Sequence, residues 1–243
     1  MNNVFQILFV VILSISLVAC GDDDDSNDLV TITVDDAAEF IAASMAIGTY
    51  GAVENMNHVS EQIVDLLNCN ESESKTRTDT ETSRFGNVTV SFTISESYSL
   101  NCSDNNEIIT YDFSTDQTTT SDPLDTDHNI TGTWTIDGAE ESSTTLNYNG
   151  SYTRGGAWTY NNEDDRVDNT TTTFVYNNVK ANKDDGVIFE GTSTFTLNGT
   201  NTIYEPYNYE GDIIFQANNT CVATFSTGEQ YEIDLNTGDV TPL

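Results

Sequence analysis

The chain has 243 residues, 40 of them acidic and 7 basic, for a net charge of −33 at pH 7. A surface this negative repels phosphate backbones and anionic lipid head groups, which argues against nucleic acid as a partner. It also means that any hold on a membrane must come from something other than a basic patch.

The apolar stretch at residues 4–18 comes first. It is too short for the roughly 20 residues that span a bilayer, but it has the length of a signal-peptide core. It ends in Leu17-Val18-Ala19-Cys20. These four residues resemble the bacterial lipobox: an aliphatic residue, a tolerant position, a small residue and an obligatory cysteine. The resemblance implies a lipoprotein precursor in which Cys20 is the lipidation site. A signal peptide of type II, residues 1–19, would be cut before Cys20, which carries a diacylglycerol and often a further acyl chain such as palmitate. One departure from the family pattern is that no Lys or Arg precedes the apolar core. Two or three acyl chains, at about 0.8 kcal/mol per buried CH₂, anchor stably, so the membrane is expected as a partner only through the lipid at Cys20.

Residues 20–34 read as an acidic tether, with aspartate at every position of 22–25. Like charges extend such a linker and hold a domain away from the bilayer. An acidic cluster just behind the cysteine resembles the surface-export signals of Bacteroidota lipoproteins. Gly21 stands where the enterobacterial inner-membrane retention signal has Asp. Both resemblances imply the outer membrane, on its periplasmic or cell-surface face.

Residues 35–68 follow as a helical hairpin or a kinked helix. Asp36 is the expected N-cap, with Glu39 three residues on as capping-box partner. Phe40, Ile41, Ser44, Met45 and Ile47 share one side, and Gly48 and Gly51 interrupt the run. Val53, Met56, Ser60, Ile63 and Leu67 continue at helical spacing, which leaves His58 on the wet face.

From residue 85 to the end the period becomes two. Val88, Val90, Phe92 and Ile94, then Tyr98, Leu100 and Cys102, alternate with Ser and Thr, the pattern of a half-buried antiparallel strand. Further strand-like runs fall at 108–113, 130–136, 146–152, 157–160, 171–179, 187–197, 213–217, 222–225 and 231–235. Turn dipeptides lie between many of them, at Asp137-Gly138, Asn149-Gly150, Asp185-Gly186, Asn198-Gly199 and Thr237-Gly238. A faint repeat, large apolar residue–any residue–Gly, recurs at Ile130-Thr131-Gly132, Tyr148-Asn149-Gly150, Phe189-Glu190-Gly191 and Tyr209-Glu210-Gly211. Its spacing suggests one hairpin per unit, with glycine allowing curvature. The expected fold is mainly β with an N-terminal helical segment. It is an antiparallel meander forming an up-and-down barrel or a strongly curved sheet, with a two-sheet sandwich as the alternative. Residues 35–243 are expected to fold as one unit.

Export places Cys69, Cys102 and Cys221 in an oxidising compartment. Cys69 closes the helical part and Cys102 the first strand, so this pair is the expected disulfide, with Cys102–Cys221 next. Cys221 shares a face with Ala223 and Phe225 and reads as an inert core thiol.

Catalytic signatures are absent. The two histidines, His58 and His128, lie far apart in sequence, and neither a nucleophile elbow nor a His-Glu-x-x-His motif occurs. Tyr152, Trp158, Tyr160, Tyr204, Tyr207 and Tyr209 could stack on sugars, but strand aromatics are more often core. Asp122, Asp125, Asp127 and His128 cluster in an expected loop that could attract calcium, although no complete calcium loop is present. Asp234, Asn236 and Asp239 echo a calcium spacing but read better as a hairpin turn. No cofactor is implied. The expected function is a non-enzymatic envelope or surface lipoprotein acting by binding or structural association, with a protein, a glycan or a small apolar ligand as partner. The alternatives are a surface-anchored polysaccharide hydrolase and an adhesin-like or calcium-binding surface protein.

Overall fold

A computed structural model describes residues 32–63, 68–82, 88–103, 106–122, 124–161, 166–202 and 205–243. The lipobox, Cys20, the aspartate run at 22–25, Leu67 and Tyr204 lie outside the described residues.

The chain enters at Ile32, which is already buried. Helix α1 (Val34–Met45) is capped by Thr33. The Thr33 hydroxyl accepts the Asp36 N–H at 3.1 Å while the Asp36 carboxylate accepts the Thr33 N–H at 2.9 Å. The cap therefore sits three residues before the expected one. Asp36 is the reciprocal partner of the capping box and not its first residue, because Thr33 offers the same kind of acceptor one turn earlier. Ala46 adopts an extended conformation and ends α1. A single 3₁₀ turn, Ile47–Thr49, leads into helix α2 (Ala52–His58), which continues as a π-turn, Val59–Ile63. Gly51 is obligatory at this corner, since a Cβ there would lie 2.5 Å from the carbonyl carbon of Met45.

Eleven strands follow: β1 (Ser72–Thr82), β2 (Val88–Ser103), β3 (Asn106–Ser121), β4 (Leu124–Asp137), β5 (Thr145–Tyr160), β6 (Val167–Asn182), β7 (Ile188–Asn201), β8 (Tyr207–Gln216), β9 (Thr220–Phe225), β10 (Gln230–Asp234) and β11 (Val240–Pro242). They form a single antiparallel sheet in which each strand pairs only with its neighbours in sequence. The sheet is a meander that curls without closing, so β1 and β11 are its two edges. Of the expected architectures it is the strongly curved sheet, not a barrel or a two-sheet sandwich.

The curl wraps around the helices. His58 of α2 bonds Glu96 on β2 and the Met56 carbonyl accepts from Tyr148 on β5. At the other end, Tyr231 of β10 donates to Asp35 of α1, and the backbone N–H of Ile47 donates to the carbonyl of Leu235. Elements from both ends of the sheet thus close over the same two helices. One core contains Ile41, Met45, Val53 and Met56 from the helices with Trp134, Tyr152, Phe174 and Phe195 from the sheet. Helices and sheet are one folded unit, because neither can bury its apolar face without the other.

Burial alternates along the inner strands, most regularly in β4. Outer-face positions carry Ser, Thr, Asn and Asp; inner-face positions carry the core. Two expected turns lie inside strands. Asn149-Gly150 sits within β5 at a bulge, and Asn198-Gly199 lies in β7. The Gly of each repeat unit lies opposite an aromatic residue. Gly132 faces Phe113, Gly150 faces Trp134, Gly191 faces Phe215 and Gly211 faces Phe195 across neighbouring strands. A Cβ on Gly132 would lie 2.3 Å from the Phe113 ring. Gly132 and Gly211 vacate space that a ring fills, whereas at Gly150 and Gly191, both at positive φ, a Cβ would meet the neighbouring backbone, so the repeat combines ring packing with close backbone approach and curvature.

Cys69 and Cys102 form a disulfide with Cα atoms 5.4 Å apart, joining the turn before β1 to the end of β2. Cys221 is free and fully buried, and burial pushes its thiol up. Because the bridge closes a 33-residue separation, converting both cysteines to serine is expected to destabilise the domain by about 3 kcal/mol. Urea unfolding of wild type, with and without reductant, against the double variant checks this. A midpoint unchanged by reduction would show that the chain is held closed by packing alone.

Candidate functional site

The inner face carries three polar constellations, each on even-numbered strand positions otherwise taken by apolar residues. The first is centred on Glu96. Its carboxylate accepts the Tyr111 hydroxyl at 2.8 Å, lies 3.1 Å from His58 Nε2 and pairs with Lys75 Nζ at 3.3 Å. Burial alone would raise its pKa, but the His58 and Tyr111 hydrogen bonds and the charges of His58 and Lys75 outweigh this and hold it down at about 2. His58 is therefore buried and bonded, not on the wet helix face that its spacing suggests, because that side of α2 packs against β2 at Glu96.

The second is Arg154, only 3 % exposed. It donates to the Ala43 carbonyl at 2.7 Å and to His128 Nδ1 at 3.0 Å, with its guanidinium over the Trp158 ring. His128 is kept neutral: burial, then the nearby Arg154 charge, lowers its pKa to about 2. The third is an ion pair in which Arg166 Nε and Nη2 both donate to Asp168 Oδ2, at 3.0 and 2.9 Å. Burial leaves the Asp168 carboxyl above its ordinary range despite that partner. Each constellation is committed to helix docking or strand packing. The histidines belong to two of them and serve as hydrogen-bonding partners there.

The expected aspartate loop is not a loop. Strand β4 starts at Leu124, so Asp125, Asp127 and His128 are strand residues. His128 points into the core while Asp127 is exposed on the opposite face, so the two cannot converge on one ion. Asp125 accepts the Ser121 N–H at 3.0 Å and closes the β3–β4 turn. Asp234 accepts the N–H of Asn236 and Asp239 accepts the hydroxyl of Thr237, which is the hairpin-turn reading. Among the described residues the one group with metal-like spacing is Cys69, Cys102 and Glu107, and its two sulfurs are spent in the disulfide. Tyr152, Trp158 and Tyr207 are buried on the inner face, while Tyr160 and Tyr209 pack against the core at its rim.

Two accessible concavities among the described residues lie on the outer face. A trough of about 580 Å³ crosses β1 to β5, lined by Thr76, Ser97, Asp112, Ser114, Thr133 and Ser151, with Phe113 and Gly132 at its floor. A second, of about 660 Å³, is lined by Thr171, Asn198, Thr200 and Asn208 over Gly199 and Tyr207. A twisted sheet is saddle-shaped, and inner-face glycines thin it where the troughs run. Hydroxyl and amide side chains of this kind offer both donors and acceptors to a polar partner. Exposed Val175 and Ile214 stand on the same face of the sheet.

No described helix is long and apolar enough to cross a membrane. Compared with protein-family models and with curated proteins, the chain has no match.

Proposed function

We propose that this chain is an envelope lipoprotein, anchored in the outer membrane through acyl chains on Cys20, that acts by binding a polar partner on the outer face of its sheet. The observation that carries the reading is the distribution of space. Helices α1 and α2 and a ring of aromatic side chains fill the inside of the curl, whereas the troughs lie outside. An apolar ligand enclosed by the sheet would have to displace α1 and α2. A net charge of −33 favours uncharged or cationic partners over anionic ones.

Two measurements test the two parts of this proposal. Changing Cys20 to Ser is expected to abolish detergent-phase partitioning, because all membrane affinity is assigned to that thiol. Partitioning that survives removal of residues 1–19 in the variant places the anchor elsewhere. For the outer face, the mature domain is screened against immobilised neutral and anionic glycans and isolated envelope proteins. Filling the first trough with Thr131→Trp and Thr133→Trp is expected to weaken the captured partner at least about tenfold with the fold intact. A partner held equally well by the double variant and by a variant filling the second trough would overturn the outer-face assignment.

A further inference from the structure

Strand β1 is the long free edge of the sheet. It has eleven residues and is exposed at every position except Lys75, and among the described residues nothing pairs along its far side. The opposite edge, β11, has three residues. A long exposed edge is a template for another strand, and proteins usually blunt it. The residues of β1 decide between blunting and pairing.

The phase of its backbone is set by the bond from the Leu100 N–H to the Glu71 carbonyl. In the β1–β2 register Glu71 lies opposite Leu100, so odd-numbered residues of β1 exchange bonds with β2. The N–H and C=O groups of Ser74, Thr76, Thr78, Thr80 and Thr82 therefore point out along the free edge. Side chains divide by the same parity. The outer face carries Ser and Thr, already laddered to β2 through hydroxyl contacts such as Thr78–Thr93 at 3.1 Å and Thr80–Ser91 at 3.1 Å. The inner face carries Glu73, Lys75, Arg77, Asp79 and Glu81.

The order of those charges is what matters. From Lys75 they run plus, plus, minus, minus, with Thr78 at the centre. Two of the chain's seven basic residues fall within these eleven positions, against 40 acidic residues overall. We propose that a second copy of this chain pairs antiparallel along β1 about a twofold axis at Thr78. In that register Arg77 opposes the partner's Asp79 and Lys75 opposes the partner's Glu81, each twice by symmetry. Thr78 opposes its own copy and Thr76 opposes the partner's Thr80. The register obeys both parities: even residues supply the bonded pairs, which makes roughly ten backbone bonds, and outer faces stay outer. The odd residues form the non-bonded pairs, where side chains approach most closely, so the four charge contacts occupy the favourable sites. Shifting the register by two residues sets Arg77 against its own copy and Glu73 against the partner's Glu81. A shift the other way sets Asp79 against its own copy and leaves Lys75 beyond the end of the partner's strand. The charge order therefore selects one register.

The remaining charge of the chain opposes association, so the test is made at about 0.5 M sodium chloride, where surface repulsion is screened within a few ångströms. Sedimentation equilibrium on the mature, unlipidated protein is expected to show a monomer–dimer equilibrium. Arg77→Asp alone and Asp79→Arg alone each create two like-charge contacts, and each is expected to raise the dissociation constant at least about tenfold. Mixing these two single variants restores every contact as a heterodimer, and combining both changes in one chain restores the homodimer. A purely structural effect of either substitution would not be reversed by mixing. Thr78→Pro removes an outward N–H and the Thr78–Thr93 hydroxyl contact, leaves the β1–β2 backbone bonds in place and is expected to abolish the dimer. A chain that stays monomeric up to about 0.2 mM shows instead that the charges only blunt the edge, and overturns the proposal. A dimer indifferent to Arg77→Asp, or single variants that fail to rescue each other, overturns it equally.

Discussion

Replacing Arg154 with alanine is expected to lower the unfolding free energy by about 3–5 kcal/mol. The guanidinium reaches from the middle of β5 to the far side of the core. There it donates to the Ala43 carbonyl near the end of α1 and to the Thr49 carbonyl in the 3₁₀ turn, at 2.7 and 3.3 Å. Those carbonyls belong to helix ends, which have no partner within the helix, and a cation at this terminus also meets the negative end of the helix dipole. The same group lies over Trp158, whose ring stacks edge-on with both His128 and Phe40. Alanine would leave the Thr49 carbonyl and His128 Nδ1 without the Arg154 donor, leave the Ala43 carbonyl to the Thr49 hydroxyl alone at 2.7 Å, and open a void beside the indole. The opposing effect is the cost of burying a cation that faces no carboxylate. Arg154→Met measures the balance, since it keeps the stem and removes both the bonds and the charge. We expect it to recover roughly half of the loss. Urea unfolding monitored by tryptophan fluorescence should show a lower midpoint at an unchanged slope. A methionine variant as stable as wild type would mean that the bonds only compensate the buried charge.

Arg154 also shows how much of the site is legible in the sequence. Along β5 it follows Tyr152 by two, so alternation alone places it inward. Glu96 likewise falls between Ile94 and Tyr98, and Asp168 precedes Thr170, Thr172 and Phe174 at even steps. A charge in phase with a buried face is the signal, and period-two patterning carries it in the bare order of residues. What patterning cannot supply is the partner. His58 meets Glu96 across 38 residues and Arg154 meets Ala43 across 111, and such pairings depend on how far the sheet curls. Strand β1 is hidden for a related reason. Every second residue from Glu73 to Glu81 is charged, so its inner face lacks the apolar rhythm that marks β2. Asn149-Gly150 and Asn198-Gly199 look like turns and are not, because Asn-Gly signals a tight hairpin only when no aromatic ring lies opposite. In β7 the ring of Tyr207 claims Gly199 for the strand interior, and in β5 Gly150 sits at a bulge pressed against the backbone of Thr133 and Trp134.

Stability should pass through a broad maximum between about pH 5 and 7. Three carboxyls and one histidine set the curve. His128, held down to about 2 by burial and then by the Arg154 charge, stays neutral in the fold while the unfolded chain protonates it below about pH 6.5, so its contribution is lost as pH falls from there towards 2. Glu39 is raised from about 4.5 to about 7 by burial and then by the neighbouring charges of Asp36 and Asp35. Glu54 is raised to about 7 by burial and then by Glu61 and Glu81. Glu96 moves the other way, to about 2, its burial outweighed by the His58 and Tyr111 hydrogen bonds. A carboxyl with a raised pKa binds its proton more tightly when the chain is folded. Lowering the pH from 8 through 7 towards 4.5 therefore stabilises the native state at Glu39 and Glu54. After screening of these partly exposed groups the gain is about 1–2 kcal/mol each at most. The fall of the overall negative charge adds to it. Below pH 4.5 the unfolded chain protonates Glu96 while the folded chain keeps it ionised. That contribution, of order 3 kcal/mol, is lost as pH drops towards 2. Variants separate the limbs. Glu39→Gln and Glu54→Gln should flatten the rise between pH 8 and 5 without touching the acid limb. Glu96→Gln should be less stable at pH 5 but should lose much less between pH 4.5 and 2, because its side chain no longer titrates. Thermal or urea unfolding across pH 2–9 measures all three. A stability that does not rise between pH 8 and about 6.5, above the range in which the unfolded chain protonates His128, would show that neither Glu39 nor Glu54 is held protonated by the fold. A Glu96→Gln variant with an unchanged acid limb would assign that limb to His128 and the surface carboxylates instead of to the His58–Glu96–Tyr111 hub.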